Sequence, residues 1–322
     1  MLTLFNTQEL HIEISSKCML KCPRCPRTEL KPEVLNQEYT LEEFKTAFSS
    51  NTLSSVKKII FCGDIGDPIY ATEFLEIVEY VKQFKIQLVI VTNGSYKKDP
   101  WWAKFGSLLD YHDMVQFSVD GWDNDSNNMY RINSDYDSII NGIKVLRENS
   151  SCNINWSSIY FNFNEDHMDL IKAQATNAGV DQWQAVRSTK FDGRYSIDGQ
   201  DPLKPKNYEN QNFGTVYTKN ITIISNRKKV GEIKYANNSH SWAKCLNWKK
   251  ELFINVEGLI FPCPWFNSGY QFNDFVQKYK EKLNVRTRSL NEILDDELWE
   301  EFIVRLETMP LEICKIKCKN DR

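Results

Sequence analysis

The chain has 322 residues, 41% apolar and 26% charged, an ordinary globular composition with length for one large domain or two modest ones. Its net charge of -3 excludes the basic excess that nucleic acid or an anionic membrane would select, so neither is expected as a partner. The opening M-L-T-L-F-N-T-Q-E-L-H lacks a signal peptide's basic region and apolar run, and apolar stretches such as 86–91 are too short to span a bilayer; a cytoplasmic protein is expected.

Taken in chain order, short apolar runs predict strands at 10–15, 57–62, 86–91, 115–119, 154–163 and 182–187. Helical spacing falls between them at 40–50, 71–84, 135–149 and 165–178. Thr40 followed by Glu43 reads as a capping box, and Gly179 as a helix stop. Six strands separated by helices predict a parallel α/β array over 1–195, an open or partly closed barrel with its chemistry at the carboxyl ends of the strands. Residues 196–240 read as an irregular connection with one hairpin, 221–225 with 230–235. A compact cysteine-bearing segment, small and α+β, fills 241–322. It has a hairpin (252–256 with 259–261) turning at Gly258 and an amphipathic helix near 289–308.

Nine clustered cysteines in a chain without an export signal point to metal rather than disulfides. Cys18, Cys22 and Cys25, spaced C-x3-C-x2-C, directly follow the first strand. Three thiolates on one loop can wrap a [4Fe–4S] cluster and leave one iron open to an outside ligand. The alternative is structural zinc, but a closed zinc site takes four ligands and this triplet has no local fourth. His11 lies within the predicted strand, where it is packed or exposed.

That triplet, opening a βα array after its first strand, resembles the radical S-adenosylmethionine (SAM) superfamily. The resemblance implies a partial (β/α)6 TIM-like barrel and a cluster whose open iron binds SAM. Reductive cleavage of SAM then gives a 5′-deoxyadenosyl radical that removes a hydrogen atom from substrate, chemistry that side chains cannot supply. Arg24 stands where the family commonly has an aromatic residue near the adenine; its backbone or stacked guanidinium would serve there. F-C-G-D-I-G-D-P at 61–68 resembles the family's glycine-glycine-glutamate element, which places Gly66 and Asp67 at the SAM amino group. V-T-N-G-S at 91–95 ends the third strand as the family often does. F-S-V-D-G at 117–121 and Y-R at 130–131 imply Ser118 at the ribose or carboxylate side of SAM and Arg131 at its carboxylate.

The C-terminal segment carries Cys245 and Cys263 in a C-x12-G-x4-C pattern, then Cys314 and Cys318 as C-x3-C. Four cysteines in two pairs would close a second [4Fe–4S] cluster, or a zinc site. The arrangement resembles the SPASM extension of radical SAM enzymes, and its cysteine count favours the shorter twitch form with one auxiliary cluster, an electron conduit or brace. Cys62 and Cys152, on predicted strands, read as small buried residues. The resemblance also implies an external electron donor such as flavodoxin or ferredoxin. About nine residues precede the first strand and the end is K-C-K-N-D-R, so neither a fused leader-binding domain nor the glycine pair of nucleotide-cyclising relatives is expected. The favoured reaction is oxidation or rearrangement of a small polar molecule, such as a sugar, nucleotide or aminocyclitol derivative. Peptide modification by a SPASM-type maturase is the alternative, and a non-enzymatic zinc-stabilised adaptor is the alternative of another class. No general base is assigned; Asp120 and Asp192 are candidates by position alone.

Overall fold

The computed structural model describes residues 7–29, 36–188, 190–191, 193–207, 215–217, 245, 251–267, 274–309 and 314. The chain divides into a larger unit (12–45 and 57–219) and a smaller one (1–11, 46–56 and 220–322). Residues 196–219, read from sequence as connection, therefore go with the larger unit. The hairpin expected at 221–235 lies outside the described residues.

The strands in chain order are β1 (Glu9–Ile12), β2 (Lys58–Phe61), β3 (Gln87–Thr92), β4 (Met114–Ser118), β5 (Asn153–Ile159), β6 (Gln182–Val186) and β7 (Thr215–Tyr217). In the larger unit, β2 to β6 lie side by side in sequence order and pair in parallel, with β7 antiparallel on β6. This is the α/β partial barrel that six separated apolar runs predict. Helices α1 (Leu41–Ala47), α2 (Ser50–Ser55), α3 (Phe74–Lys82), α4 (Asp99–Leu108), α5 (Asn124–Asn128), α6 (Tyr136–Asn149) and α7 (Met168–Ala178) fall between strands.

Local sequence sets the helix ends. Thr40 Oγ1 accepts from Glu43 N (3.2 Å) while Glu43 Oε2 accepts from Thr40 N (2.8 Å), the expected reciprocal cap. Gly179 ends α7 at φ 87°, a left-handed conformation that costs glycine little. Helix α4 has no counterpart among the elements expected from sequence, because Pro100 and two adjacent tryptophans obscure its period. Pro100 sits in its first turn, where no backbone donor is needed, and Trp102 and Phe105 are fully buried.

One face of each parallel strand meets the helices. Leu88, Ile90, Val115, Phe117, Ile154 and Trp156 are fully buried, and Trp102 of α4 lies 5.5 Å from Phe117. Strand alternation therefore puts Gln116, Ser118, Asn155, Ser157 and Gln184 on the opposite, inner face. Fully burying an apolar side chain contributes about 1.5–3 kcal/mol, so the helix-facing layer dominates stability. At the amino-terminal end of β4, Asp113 is wholly buried. It accepts from Lys82 Nζ (2.6 Å), Leu88 N (2.8 Å) and Asp110 N (2.8 Å).

The smaller unit contains the hairpin β8 (Glu251–Ile254) and β9 (Ile260–Phe261), with Gly258 at φ 93° in its turn. Helices α8 (Pro264–Asn267), α9 (Asp274–Lys278), α10 (Leu290–Leu294) and α11 (Glu297–Thr308) also belong to it, as does α2. Its core packs Phe266 and Phe275 against Phe302 at 5.4 and 5.5 Å. The single helix expected at 289–308 is two, because Asp296 turns its carboxylate onto Leu298 N (2.9 Å) and starts a new helix. His11 packs as expected, against Phe253 (4.9 Å) and near Glu251 (3.7 Å). No helix of the described residues is long and apolar enough to cross a membrane.

Candidate functional site

The site lies on loops at the carboxyl ends of the parallel strands. Along the first loop, Leu20, Cys22 and Arg24 are buried while Met19, Lys21 and Pro23 are exposed. Cys22 packs with Leu20, Tyr130 and Phe161, and Cys18 and Cys25 are packed against the same cluster. The loop is fixed by a tight turn from Cys22 O to Cys25 N (3.1 Å) and by Lys21 N donating to Ile132 O (2.9 Å). All three thiols are unpaired by disulfides.

Burial pushes all three thiols up, Cys18 to about 12, with Asp67 and the other two cysteines adding to the effect on Cys18. A metal group takes cysteines as thiolates, and binding one would offset the cost that burial puts on deprotonating these three. Among the described residues, no three His, Cys, Asp or Glu side chains converge on a single ion. Ligands of a cubane serve separate irons and need not meet at a point. Three cysteines gathered on one loop suit three corners of an iron–sulfur cluster.

Gly66 and Asp67 reach this loop from the β2 side. A Cβ on Gly66 would overlap Ser15 O and press on Ser16 Cα, so only glycine allows this backbone approach. Asp67 N donates to Lys17 O (3.0 Å), next to Cys18. The Asp67 carboxylate turns inward: it accepts from Ile69 N (3.2 Å), Thr92 Oγ1 (2.9 Å), Asn93 N (2.6 Å) and Asn93 Nδ2. Burial pushes its pKa up to about 6, against the pull of those donors. Asn93 also points Nδ2 at Cys18 Sγ, 3.7 Å away. In the sequence V-T-N-G-S is legible as a strand end, but nothing there assigns Asn93 a role. The available signal was that a buried aspartate after β2 needs donors from the neighbouring strand end.

Arg131 and Ser118 come from the β4 side. Arg131 Nε donates to Asp120 Oδ2 (2.7 Å), and Asp120 Oδ1 accepts from Ile159 N (2.7 Å). Burial alone would depress the Arg131 pKa; the Asp120 carboxylate and the nearby Cys22 hold it above its ordinary value. Asp120, a base candidate by position, is wholly buried and committed to this pair, and Asp192 lies outside the described residues. Ser118 is half-buried on the inner face, level with Ser157 and Gln184, and its hydroxyl has no hydrogen-bond partner among the described residues.

Arg24 is 2% exposed, and its guanidinium is taken up by the segment after β6. It pairs with Asp201, donates to Lys190 O (3.0 Å) and lies over the Phe191 and Tyr195 rings at 4.9 and 4.8 Å. Lys190 Nζ in turn donates to Arg24 O (2.7 Å). Neither Lys190 nor Asp201 stands out in the sequence; both belong to an irregular stretch without periodicity. Cys62 lies just past the end of β2 and is half-buried, not the buried strand residue expected; its surroundings push its thiol up to about 12. Cys152 is fully buried.

In the smaller unit Cys245 and Cys314 are buried and Cys263 is half-buried at the end of the β8–β9 hairpin. Cys318 lies outside the described residues.

Comparison with known proteins fits this geometry. Residues 12–173, half of the chain, match the Radical SAM superfamily, and residues 245–319 match SPASM, an iron–sulfur cluster-binding domain. Among curated proteins, the S-adenosylmethionine-dependent nucleotide dehydratase RSAD2 of Siniperca chuatsi is 27% identical over 61% of this chain and 54% of its own. The chain aligns to less than two thirds of the curated relatives it matches. Among solved structures, Streptococcus suis SuiB bound to precursor peptide SuiA has a TM-score of 0.59 at 15% identity, covering 92% of this chain and 66% of that one. The anSMEcpe structure with bound AdoMet and the Cp18Cys peptide has a TM-score of 0.56 at 16% identity, covering 97% and 86%. The cysteine loop, the partial barrel and the matched C-terminal domain agree: the chain belongs to the radical SAM superfamily and carries a SPASM iron–sulfur domain.

Proposed function

We propose that this protein is a radical SAM enzyme that removes a hydrogen atom from a peptide substrate, with Cys18, Cys22 and Cys25 holding the SAM-binding [4Fe–4S] cluster. A second cluster, on Cys245, Cys263, Cys314 and Cys318, would carry electrons or brace the domain. The observation that carries the reading is the packing of three thiols around one cluster of side chains that includes Tyr130, beside Arg131. When bound, the cluster supplies the electron that cleaves SAM to a 5′-deoxyadenosyl radical. The chain's own residues hold and orient. Asp120 occupies Arg131 Nε, leaving its terminal nitrogens for a carboxylate such as that of SAM. Ser118 offers a free hydroxyl, and Tyr130 and Phe161, 4.3 Å apart, exclude water from the thiols. With the Asp67 carboxylate buried, the Gly66–Asp67 backbone would meet the SAM amino group.

The peptide reading draws its support from SuiB with SuiA and anSMEcpe with its peptide, both alike over more than nine tenths of this chain. The small polar molecule that sequence favoured is the second reading. Two observations support it: a curated relative is a nucleotide dehydratase, and the inner face of β4–β6 is uncharged and rich in amides, with Gln184 Nε2 donating to Gln116 Oε1 and Ser157 Oγ (3.2 Å each). A nucleobase or sugar would also pair there.

The test separates the two. Reduced holoprotein is incubated with SAM and with peptide or small-molecule fractions of a deuterated cell extract, and deuterium in 5′-deoxyadenosine is measured. Label from the peptide fraction is expected. Label from the small-molecule fraction establishes the second reading, and label from neither contradicts both.

A further inference from the structure

We propose that Asn93 is a positioning residue for the SAM-binding cluster: its side-chain amide donates to the Cys18 sulfur and raises the cluster's reduction potential. This rests on the reading of Cys18 as a cluster ligand. Asn93 ends β3, and all its polar positions are used. Nδ2 donates to Asp67 Oδ2 and to Cys18 Sγ (3.7 Å), while Oδ1 accepts from Ser95 N (3.0 Å) and from Tyr70 Oη (3.3 Å). These partners fix which way the amide points. A flipped Asn93 would set its oxygen against a carboxylate and a sulfur, and its NH2 against the Ser95 N–H.

Asp67 is the lock. Its Oδ2 accepts both the backbone N–H of Asn93 (2.6 Å) and the side-chain amide, and Thr92 Oγ1 holds the same carboxylate at 2.9 and 3.1 Å. The carboxylate is 4% exposed, so water does not compete for the lock. Asp67 thus acts on Cys18 through Asn93.

Reduction adds negative charge to a cluster and its ligand sulfurs, and a donor aimed at one of those sulfurs stabilises the reduced form. A tenfold change in the reduction equilibrium is about 59 mV for a one-electron couple. Removing the Asn93 amide should therefore make the cluster harder to reduce.

The experiment is a potentiometric titration, followed by electron paramagnetic resonance, of the anaerobically reconstituted full chain. The signal tracked is the one that changes on adding SAM, which separates this cluster from the auxiliary one. Asn93→Ala should lower its midpoint potential by about 59 mV, roughly a tenfold change, with iron per chain unchanged. Asn93→Leu, which keeps the side-chain bulk without the donor and leaves the Asp67 charge in place, should move it the same way. Should Asn93→Ala fail to hold iron, Asn93→Leu decides. An unmoved potential in an iron-loaded variant overturns the proposal, since a purely structural role would change iron content or melting temperature alone. A wild-type protein with no SAM-responsive signal instead overturns the ligand reading beneath it.

Discussion

At the scale of single residues, Gly66 and the cysteines make the sharpest claims. Gly66 rests on the Ser15–Ser16 backbone, so Gly66→Ala must push two main-chain segments apart. We expect it to destabilise the larger unit by about 1–3 kcal/mol, as overpacking does, and to lower iron content; urea melts and iron analysis check both. Cys22 is the most buried of the triplet by its packing with Tyr130 and Phe161. Cys22→Ala should abolish 5′-deoxyadenosine while leaving the apoprotein's far-ultraviolet dichroism unchanged. Cysteine spacing was fully legible in the sequence, because ligand geometry constrains a short loop directly. The commitments of Asp67 and Arg24 were not: each side chain is claimed by partners far along the chain, Asn93 for one and Asp201 for the other.

Elements show what periodicity can and cannot carry. The strands of the barrel match their apolar runs within a few residues, since the face of each that meets the helices needs regularly placed apolar residues. Helix α4 was hidden by Pro100 and by aromatic residues that serve strand and helix alike, and the break between α10 and α11 turned on one capping aspartate. Between elements, Lys82 of α3 links Asp110 and Asp113 at the start of β4 (2.8 and 2.6 Å). Lys82→Met leaves the wholly buried Asp113 charge without its cation and should cost about 3 kcal/mol. Burial disfavours the charged lysine, but the two carboxylates outweigh it and raise its pKa. The stabilisation is therefore complete below the unfolded lysine's value and lost as pH climbs through the higher folded one. Denaturant melts should show the gap between wild type and Lys82→Met steady near neutrality and narrowing above about pH 10.4.

At the scale of the whole molecule, the proposed enzyme combines a radical SAM barrel with a C-terminal domain that carries its own cysteines. Cys314→Ala should lose the auxiliary cluster, halving iron from about eight to about four per chain if both are cubanes, and should retain the SAM-responsive signal. The family was legible because it is written in ordered motifs. The substrate was not, because the inner face of β4–β6 is made of residues that read equally well as ordinary strand. The most direct test of the central claim is to reduce the anaerobically purified wild-type protein with SAM and look for 5′-deoxyadenosine. The account predicts its formation, dependent on reductant and on iron; iron-loaded protein that leaves SAM uncleaved would contradict it.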